Sequence, residues 1–372
     1  MRKNSLALAA GLALLVGMGV RPALAQIQIG AAGPMSGSNA AFGVQLKEGA
    51  DLAVANINAH GGVLGKRVHL IIGDDACDPK QAVSVANGFV NDGVVFVDGH
   101  FCSSTSIPAS KIYTQSGVLE ITPASTNPDY TDKGSWATFR TCGRDDEQGV
   151  VAGKFISDHF KNSKIAVLDD NSTYGKGIAD QVRLNLKKLG VKIAFNAHYT
   201  AGEKDYSALI SRMKSDGINF VYIGGYYTDG GLIVRQAAAQ GWHPQFMGED
   251  AFVTQQFWQI AGPAGEGMLM TFPPDQRANP AAAAVVKQFA AKKINPEGYV
   301  LYSYAAIQVW AEAAQKAGTV DPMKVAAEIK SGGPWQTVIG PLSYDKKGDV
   351  VHAAYVVYKW HNGNYAELKS MH

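Results

Sequence analysis

Short β-branched runs alternate with helical stretches along nearly the whole chain, and the alternation starts twice. Ile27 to Ala32 reads as a strand. Phe42 to Asn58 then carries apolar residues at helical spacing and stops at His60-Gly61-Gly62. Val68 to Ile72 is a second strand, and Pro79 opens a helix to about Val90. Val94 to Val97, a short helix from Ser106 to Gln115, and Val118 to Ile121 complete the first series. The second runs through helix Asp145–Phe160, strand Lys164–Leu168, helix Lys176–Leu189 and strand Lys192–Ala197. It continues through helix Tyr206–Ser215, strand Asn219–Ile223, helix Gly231–Ala239 and strand Gln245–Met247. This rhythm predicts two doubly wound parallel sheets, each with helices on both faces.

Two Ala-rich helical stretches follow Pro273-Pro274, at about Pro280–Lys293 and Tyr299–Ala317, and Val350 to Trp360 reads as a late strand long enough to pass between lobes. Glycine and proline punctuate the chain near Gly143 and again at Pro273-Pro274. The expected division is therefore residues 26–144 plus 274–353 in the first lobe, and 145–273 plus 354–372 in the second. No low-complexity linker separates them, so short crossing segments join the lobes.

The first 25 residues read as an export signal. Arg2 and Lys3 precede an apolar run from Leu6 to Val20, and Ala23-Leu24-Ala25 fits a small-x-small cleavage pattern. The run is too short and too near that pattern for a membrane span, and no Cys nearby offers a lipid anchor. Cleavage would leave about 347 residues, more than one core usually serves. Formal charge is +2, and loss of Arg2, Lys3 and Arg21 shifts it to about −1. That leaves no basic field for nucleic acid.

Ligands of open α/β sheets sit at the carboxyl ends of the strands. In the first lobe those ends carry Gly33-Pro34-Met35-Ser36-Gly37, Asp74-Asp75-Ala76-Cys77-Asp78, Gly99-His100-Phe101-Cys102-Ser103-Ser104 and Thr122-Pro123-Ala124-Ser125-Thr126. A hydroxyl and free backbone N–H groups at a helix start suit a carboxylate. A single such serine usually caps a helix; two hydroxyl-rich loops from adjacent strands favour a site. The second-lobe ends carry Asp169-Asp170 with Tyr174, Gly224-Gly225-Tyr226-Tyr227 and Gly248-Glu249-Asp250. Tyrosines there are suited to covering a small guest, and an acid pairs with an ammonium. Packing and turn capping are the plainer alternatives for each. Together the two sets describe a clamp for a zwitterion, with the lobes closing on it about a hinge.

Three cysteines are present. Cys77 and Cys102 follow neighbouring strands at equivalent ends, so they are either a disulfide or a pair of buried thiols. Export favours the bridge. Cys142 is the spare, read as a core thiol.

These stretches resemble the periplasmic branched-chain amino acid (leucine/isoleucine/valine) binding proteins of ABC transporters. The resemblance rests on DDACDPKQAV, NDGVVFVDGHFCSS, ITPAST, TAGEKDYSALI, FVYIGGYY and QFMGED, spread in one order over essentially the whole chain after the signal. It implies a type I periplasmic binding fold with a three-segment hinge, a Cys77–Cys102 disulfide, a membrane permease as partner and a periplasmic location. It also implies that Ser103 and Thr126, with backbone groups at Cys102 and Ala124, hold the guest's carboxylate. Tyr226 and Asp250 would hold the ammonium, Tyr174 would line the pocket, and Phe42, Phe101 and Tyr299 would surround the guest's side chain. The sequence departs from the family in three ways. Asp250 stands where Glu is common, with Glu249 beside it as the other candidate acid. Ser125 replaces an Ala. Phe101 and Tyr299 replace an aliphatic residue and a Phe. The added bulk predicts smaller guests, namely alanine, valine, threonine, proline or γ-aminobutyrate, because each lost methylene removes about 0.8 kcal/mol of burial.

An enzyme is the rival reading by fold. Gly175-Lys176-Gly177-Ile178-Ala179-Asp180 approximates a dinucleotide loop, but Asp180 stands where the third glycine belongs. No P-loop, HExxH or GxSxG occurs, and His100 reads as a structural hydrogen-bonding group. A sensor of the same fold, or a carrier of another amine or amide solute, is the other alternative. The expectation is a monomeric carrier without cofactor, metal or nucleic acid.

Overall fold

The computed structural model describes residues 26–369, so the expected export signal lies outside the described residues. Among these residues no helix is long and apolar enough to cross a membrane.

The first lobe is built on β1 (Ile27–Gly33), β2 (Val68–Asp74), β3 (Phe96–Gly99), β4 (Leu119–Thr122) and β5 (Thr138–Arg140). All pair in parallel, in the order β2-β1-β3-β4-β5. Helices α1 (Ala40–Ala59), α2 (Pro79–Asn91), α3 (Ser103–Ser116) and the single turn α4 (Asp129–Asp132) connect them. Asp78 caps α2 through Lys80 and Gln81, with Pro79 at the first helical position, as the sequence suggested.

The chain then crosses over. Helix α5 (Asp145–Phe160) leads into β6 (Ile165–Asp169), α6 (Thr173–Lys188), β7 (Ile193–His198), α7 (Ser207–Ser215) and β8 (Phe220–Gly224). Next come α8 (Tyr227–Ala239), β9 (Gln245–Gly248), α9 (Gln255–Ala261) and β10 (Leu269–Phe272). Their order, β7-β6-β8-β9-β10, repeats that of the first lobe. Strands β6 and β8 are buried at every position, as expected of parallel strands covered on both faces.

After β10 the chain returns through α10 (Ala283–Ala291), α11 (Val300–Ala317), α12 (Pro322–Gly332) and the hairpin β11 (Trp335–Thr337) with β12 (Gly340–Leu342). Val300, Ala305, Ile307 and Trp310 of α11 share a core with Ile29, Phe96 and Ile121 of the first sheet. Finally β13 (Val356–His361) and β14 (Asn364–Glu367) extend the second sheet, with β13 antiparallel to β10.

Several expectations are corrected. The late strand is shorter than predicted: residues 350–355 are irregular, and only Val356–His361 pair in the sheet. Both fifth strands were missed. β5 has only three residues, and β10, Leu-Met-Thr-Phe, carries a single β-branched residue. Helix α3 begins at Ser103 rather than Ser106, so Ser103 and Ser104 lie in its first turn. Cys77 and Cys102 do not follow neighbouring strands, because β1 lies between β2 and β3. They still pair as a disulfide with Cα atoms 5.6 Å apart, since Ala76 and Cys77 take left-handed backbone and fold the loop over the end of β1. Cys142 is a buried free thiol.

The first and third crossings run side by side. A Cβ on Gly143 would lie 2.6 Å from the Tyr355 ring, so only glycine permits that approach.

Candidate functional site

The strand order places a switch point in each sheet between its first and third strands, and the loops after those strands face one another across the cleft. A cavity of about 190 Å³ lies there, lined by Phe101, Ser103, Ala124, Tyr174, Tyr226, Asp250 and Ala251. A larger groove, about 1380 Å³ with much of it open solvent, lies between α1 and α11 and shares no residue with this cavity.

On the first lobe, β3 ends at Gly99, and Cys102 supplies the extended residue before α3. The first-turn amides of α3 have no acceptor within their own helix. The Ser103 hydroxyl accepts from the Asn127 N–H at 3.3 Å, tying this helix start to the loop after β4. Thr122 shapes that loop: its hydroxyl donates to the His100 carbonyl at 2.6 Å and accepts from the amides of Ala124 and Ser125. Thr126 is buried, and its hydroxyl lies beside the Asp145 carboxyl with no other hydrogen-bond partner. Ser125 does not line the cavity, and neither do Phe42, Cys102, Thr126 and Tyr299. The Ser125 hydroxyl lies 2.6 Å from Ser106 Oγ and donates to the Phe101 carbonyl at 2.9 Å, so it braces the loop from behind.

His100 is likewise structural. Its Nδ1 lies 2.6 Å from Asp75 and its Nε2 lies 2.8 Å from the Tyr113 hydroxyl, all three buried. Asp75 also accepts from the Cys77 amide, so this network fixes the disulfide loop.

On the second lobe, Ser172 caps α6 and places Tyr174 in its first turn. Tyr226 precedes α8, after a Gly225 whose φ of +152° and contact with Tyr199 admit no side chain. The two tyrosine rings lie 5.2 Å apart. A 3-10 turn over Asp250–Phe252 follows β9. The adjacent acids there are not equivalent. Glu249 accepts from the backbone amides of Ala251 at 2.6 Å and Gly225 at 3.1 Å. Asp250 faces the cavity, accepting from the Tyr174 hydroxyl at 2.7 Å and from the Tyr299 hydroxyl. Tyr174 also touches Glu249, but one phenolic proton serves one acceptor at a time. Burial and then the charge of Asp250 push the Glu249 carboxyl well above its ordinary range.

The sequence reading missed Asp145. It is the first residue of α5, fully buried, and its carboxylate has only the Thr126 hydroxyl beside it. Burial, then the nearby charge of Asp250, push it up to about 8. Its sequence signal was weak, because an acid in the first turn of a helix ordinarily complements the helix dipole. Gln148, one turn on and buried, donates to Thr271 at 2.8 Å and leaves its amide oxygen unpartnered.

Phe42, Phe101 and Tyr299 form an aromatic wall. Phe42 stacks on Phe101 at 4.3 Å, and Tyr299 meets Phe101 and Phe272 edge-on at 5.3 Å. The lobes touch directly. Tyr227 and Thr228 donate to the Ser38 carbonyl at 3.0 and 2.9 Å, and Asn127 donates to the Thr173 carbonyl at 2.8 Å. Among the described residues no group of three or more His, Cys, Asp or Glu is arranged to hold a metal ion.

Comparison with known proteins gives a consistent result. A model of the periplasmic binding protein family matches residues 26–364. A Leu/Ile/Val-binding protein homolog of Brucella suis is 50% identical over 341 residues, 92% of each chain. A leucine-, isoleucine-, valine-, threonine- and alanine-binding protein of Pseudomonas aeruginosa is 45% identical over 336 residues, 90% of each chain. The crystal structure of the leucine-binding protein LivK from Thermotoga maritima superposes with a TM-score of 0.85 at 28% identity, covering 92% of this chain and 97% of that one. LivJ from Streptococcus pneumoniae, in complex with isoleucine, gives 0.84 at 28% identity, covering 92% and 98%.

Proposed function

The chain belongs to the periplasmic binding protein family and serves as the solute-binding component of an ABC importer, and on that premise we propose how its cleft holds a neutral aliphatic amino acid. The observation that carries the reading is a charge imbalance. Three buried carboxyls, Asp145, Glu249 and Asp250, converge on one side of the cleft, and Arg140, on the opposite lobe, is the sole fully buried lysine or arginine among the described residues. A guest bearing an ammonium completes that side. A guest without one leaves these carboxyls with no cation to offset the burial that pushes each towards its neutral form.

The guest's carboxylate is held by the Ser103 and Thr126 hydroxyls with backbone groups at Cys102 and Ala124. Its ammonium is held by Asp250 and Asp145 with Tyr226 at its side. Tyr174 orients Asp250, and Glu249 shapes the turn. The guest's side chain meets Phe42, Phe101 and Tyr299, so small guests are favoured: alanine, valine, threonine, proline or γ-aminobutyrate over leucine. Residues 26–144 with 274–353 move as one lobe and 145–273 with 354–372 as the other. The mature carrier, cleaved after Ala25, works as a monomer and hands its guest to a membrane permease.

Calorimetric titration of the twenty amino acids and γ-aminobutyrate tests this. Binding confined to small neutral amino acids is expected. Leucine binding ten times tighter than both alanine and valine overturns the size preference, and binding of none overturns the reading.

A further inference from the structure

Arg140, the last residue of β5, is fully buried and is not among the residues that line the cavity. Its guanidinium donates to the Ser125 carbonyl at 2.6 Å and to the Asn127 carbonyl at 3.2 Å. These are the two carbonyls on either side of Thr126. The Thr126 carbonyl itself accepts from the Asp145 amide at 2.9 Å. The peptide carrying Thr126 is thus held on three sides, while its hydroxyl has no partner beyond the Asp145 carboxyl beside it. A forked, permanently charged donor is needed for this arrangement, because one rigid plane must reach two carbonyls at once.

The other side of Arg140 is anchored. Its Nε lies 2.7 Å from Asp349, and a terminal nitrogen donates to the Thr131 hydroxyl at 2.7 Å. Asp349 also pairs at 2.7 Å with Arg144, which directly precedes α5. Asp349 lies where the third crossing leaves the first lobe, and Arg144 lies on the first crossing. One buried ionic chain therefore runs from the Thr126 loop into two of the three hinge segments.

We propose that Arg140 is a positioning residue for guest binding: it fixes the Ser125–Asn127 loop so that the Thr126 hydroxyl meets the guest's carboxylate, and it fastens that loop to the hinge through Asp349. Resting on the amino acid reading above, this assigns affinity to a residue outside the pocket. A lysine at the same place keeps the charge and loses the second carbonyl, so charge alone does not replace it.

The test is a double-mutant cycle read by calorimetry with L-valine, alongside thermal unfolding. Arg140→Lys is expected to raise Kd at least tenfold in the wild-type background and less than threefold in a Thr126→Ala background, because its effect passes through Thr126. A purely structural residue lowers the melting temperature and shifts Kd equally in both backgrounds, which overturns the proposal. Should Arg140→Lys fail to fold, Asp349→Asn removes the anchor while leaving the fork in place. It is expected to raise Kd at least threefold with the same loss of effect beside Thr126→Ala. A wild type that binds no amino acid overturns the functional reading and this inference with it. A wild type that binds L-valine, with Kd unchanged within twofold in the folded variants, overturns this inference alone.

Discussion

Tyr299, immediately before α11 on the first lobe, donates its phenolic proton to Asp250, two residues after β9 on the second. The acid that faces the cavity is therefore gripped from both lobes, and the Tyr174 hydroxyl takes its other oxygen at 2.7 Å. Two phenols favour the ionised acid while burial disfavours it, and burial prevails, leaving Asp250 raised. An arriving ammonium would restore the ionised form, so guest binding and lobe closure act on the same carboxyl.

Asp250→Asn should weaken amino acid binding by roughly 2 kcal/mol or more, about thirtyfold, judged from other desolvated charge pairs. Glu249→Gln should weaken it by less, because Glu249 already serves the backbone amides of Ala251 and Gly225. Calorimetric titration of both variants compares them. A larger loss for Glu249→Gln would reverse the two roles.

Asp145 makes the unliganded protein sensitive to pH. Its folded pKa, pushed up to about 8 by burial and then by Asp250, lies above its unfolded value. The folded state therefore holds the proton more tightly, and stability declines as pH rises from about 4 towards 8, by at most about 1.4 kcal/mol per pH unit from this group. Asp145→Asn should flatten that decline in urea unfolding measured across the range. Equal slopes for wild type and variant would exclude Asp145 as its source. Below pH 8, an ammonium bound beside Asp145 should also expel its proton, seen as a binding heat that changes between phosphate and Tris buffers.

The Cys77–Cys102 bridge closes a loop between positions 25 apart in sequence, worth about 3 kcal/mol in the chain-entropy model. A Cys77→Ser/Cys102→Ser double variant should lose about that much stability in denaturant titration and become insensitive to reductant. Cys142→Ser should keep the wild-type response to reductant, because Cys142 is outside the bridge. A double variant as stable as wild type would rule out a stabilising role for the disulfide.

Phe101 lines the cavity and packs against Phe42 and Tyr299. Phe101→Leu should improve leucine relative to alanine by about tenfold, since each methylene admitted to an apolar pocket adds about 0.8 kcal/mol. The ratio of the two dissociation constants measures it. An unchanged ratio would place the size limit elsewhere in the wall.

Much of the fold was legible locally. Asp145–Phe160 was read to the residue as a helix, and Asp78-Pro79 marked the start of α2, because caps and apolar periodicity are properties of short segments. Strands β5 and β10 were not legible. Each is short, and each becomes a strand by adding to the end of a parallel series already formed. The loops bearing Ser103, Thr126, Tyr226 and Asp250 were found because each follows a strand that periodicity could locate.

The sequence alone determined two doubly wound lobes, the cysteine pair and the set of loop tips, since residue order and side-chain chemistry specify these within a few dozen positions. The tertiary structure decided which members of that set line the cavity. It turned Ser125 into the wall, tied Glu249 to backbone amides, and brought Asp145 and Asp250 from separate elements into one electrostatic neighbourhood. It also set Arg140 behind Thr126. Burial and long-range proximity fix a carboxyl's protonation and a hydroxyl's freedom, and both arise only when distant segments pack together.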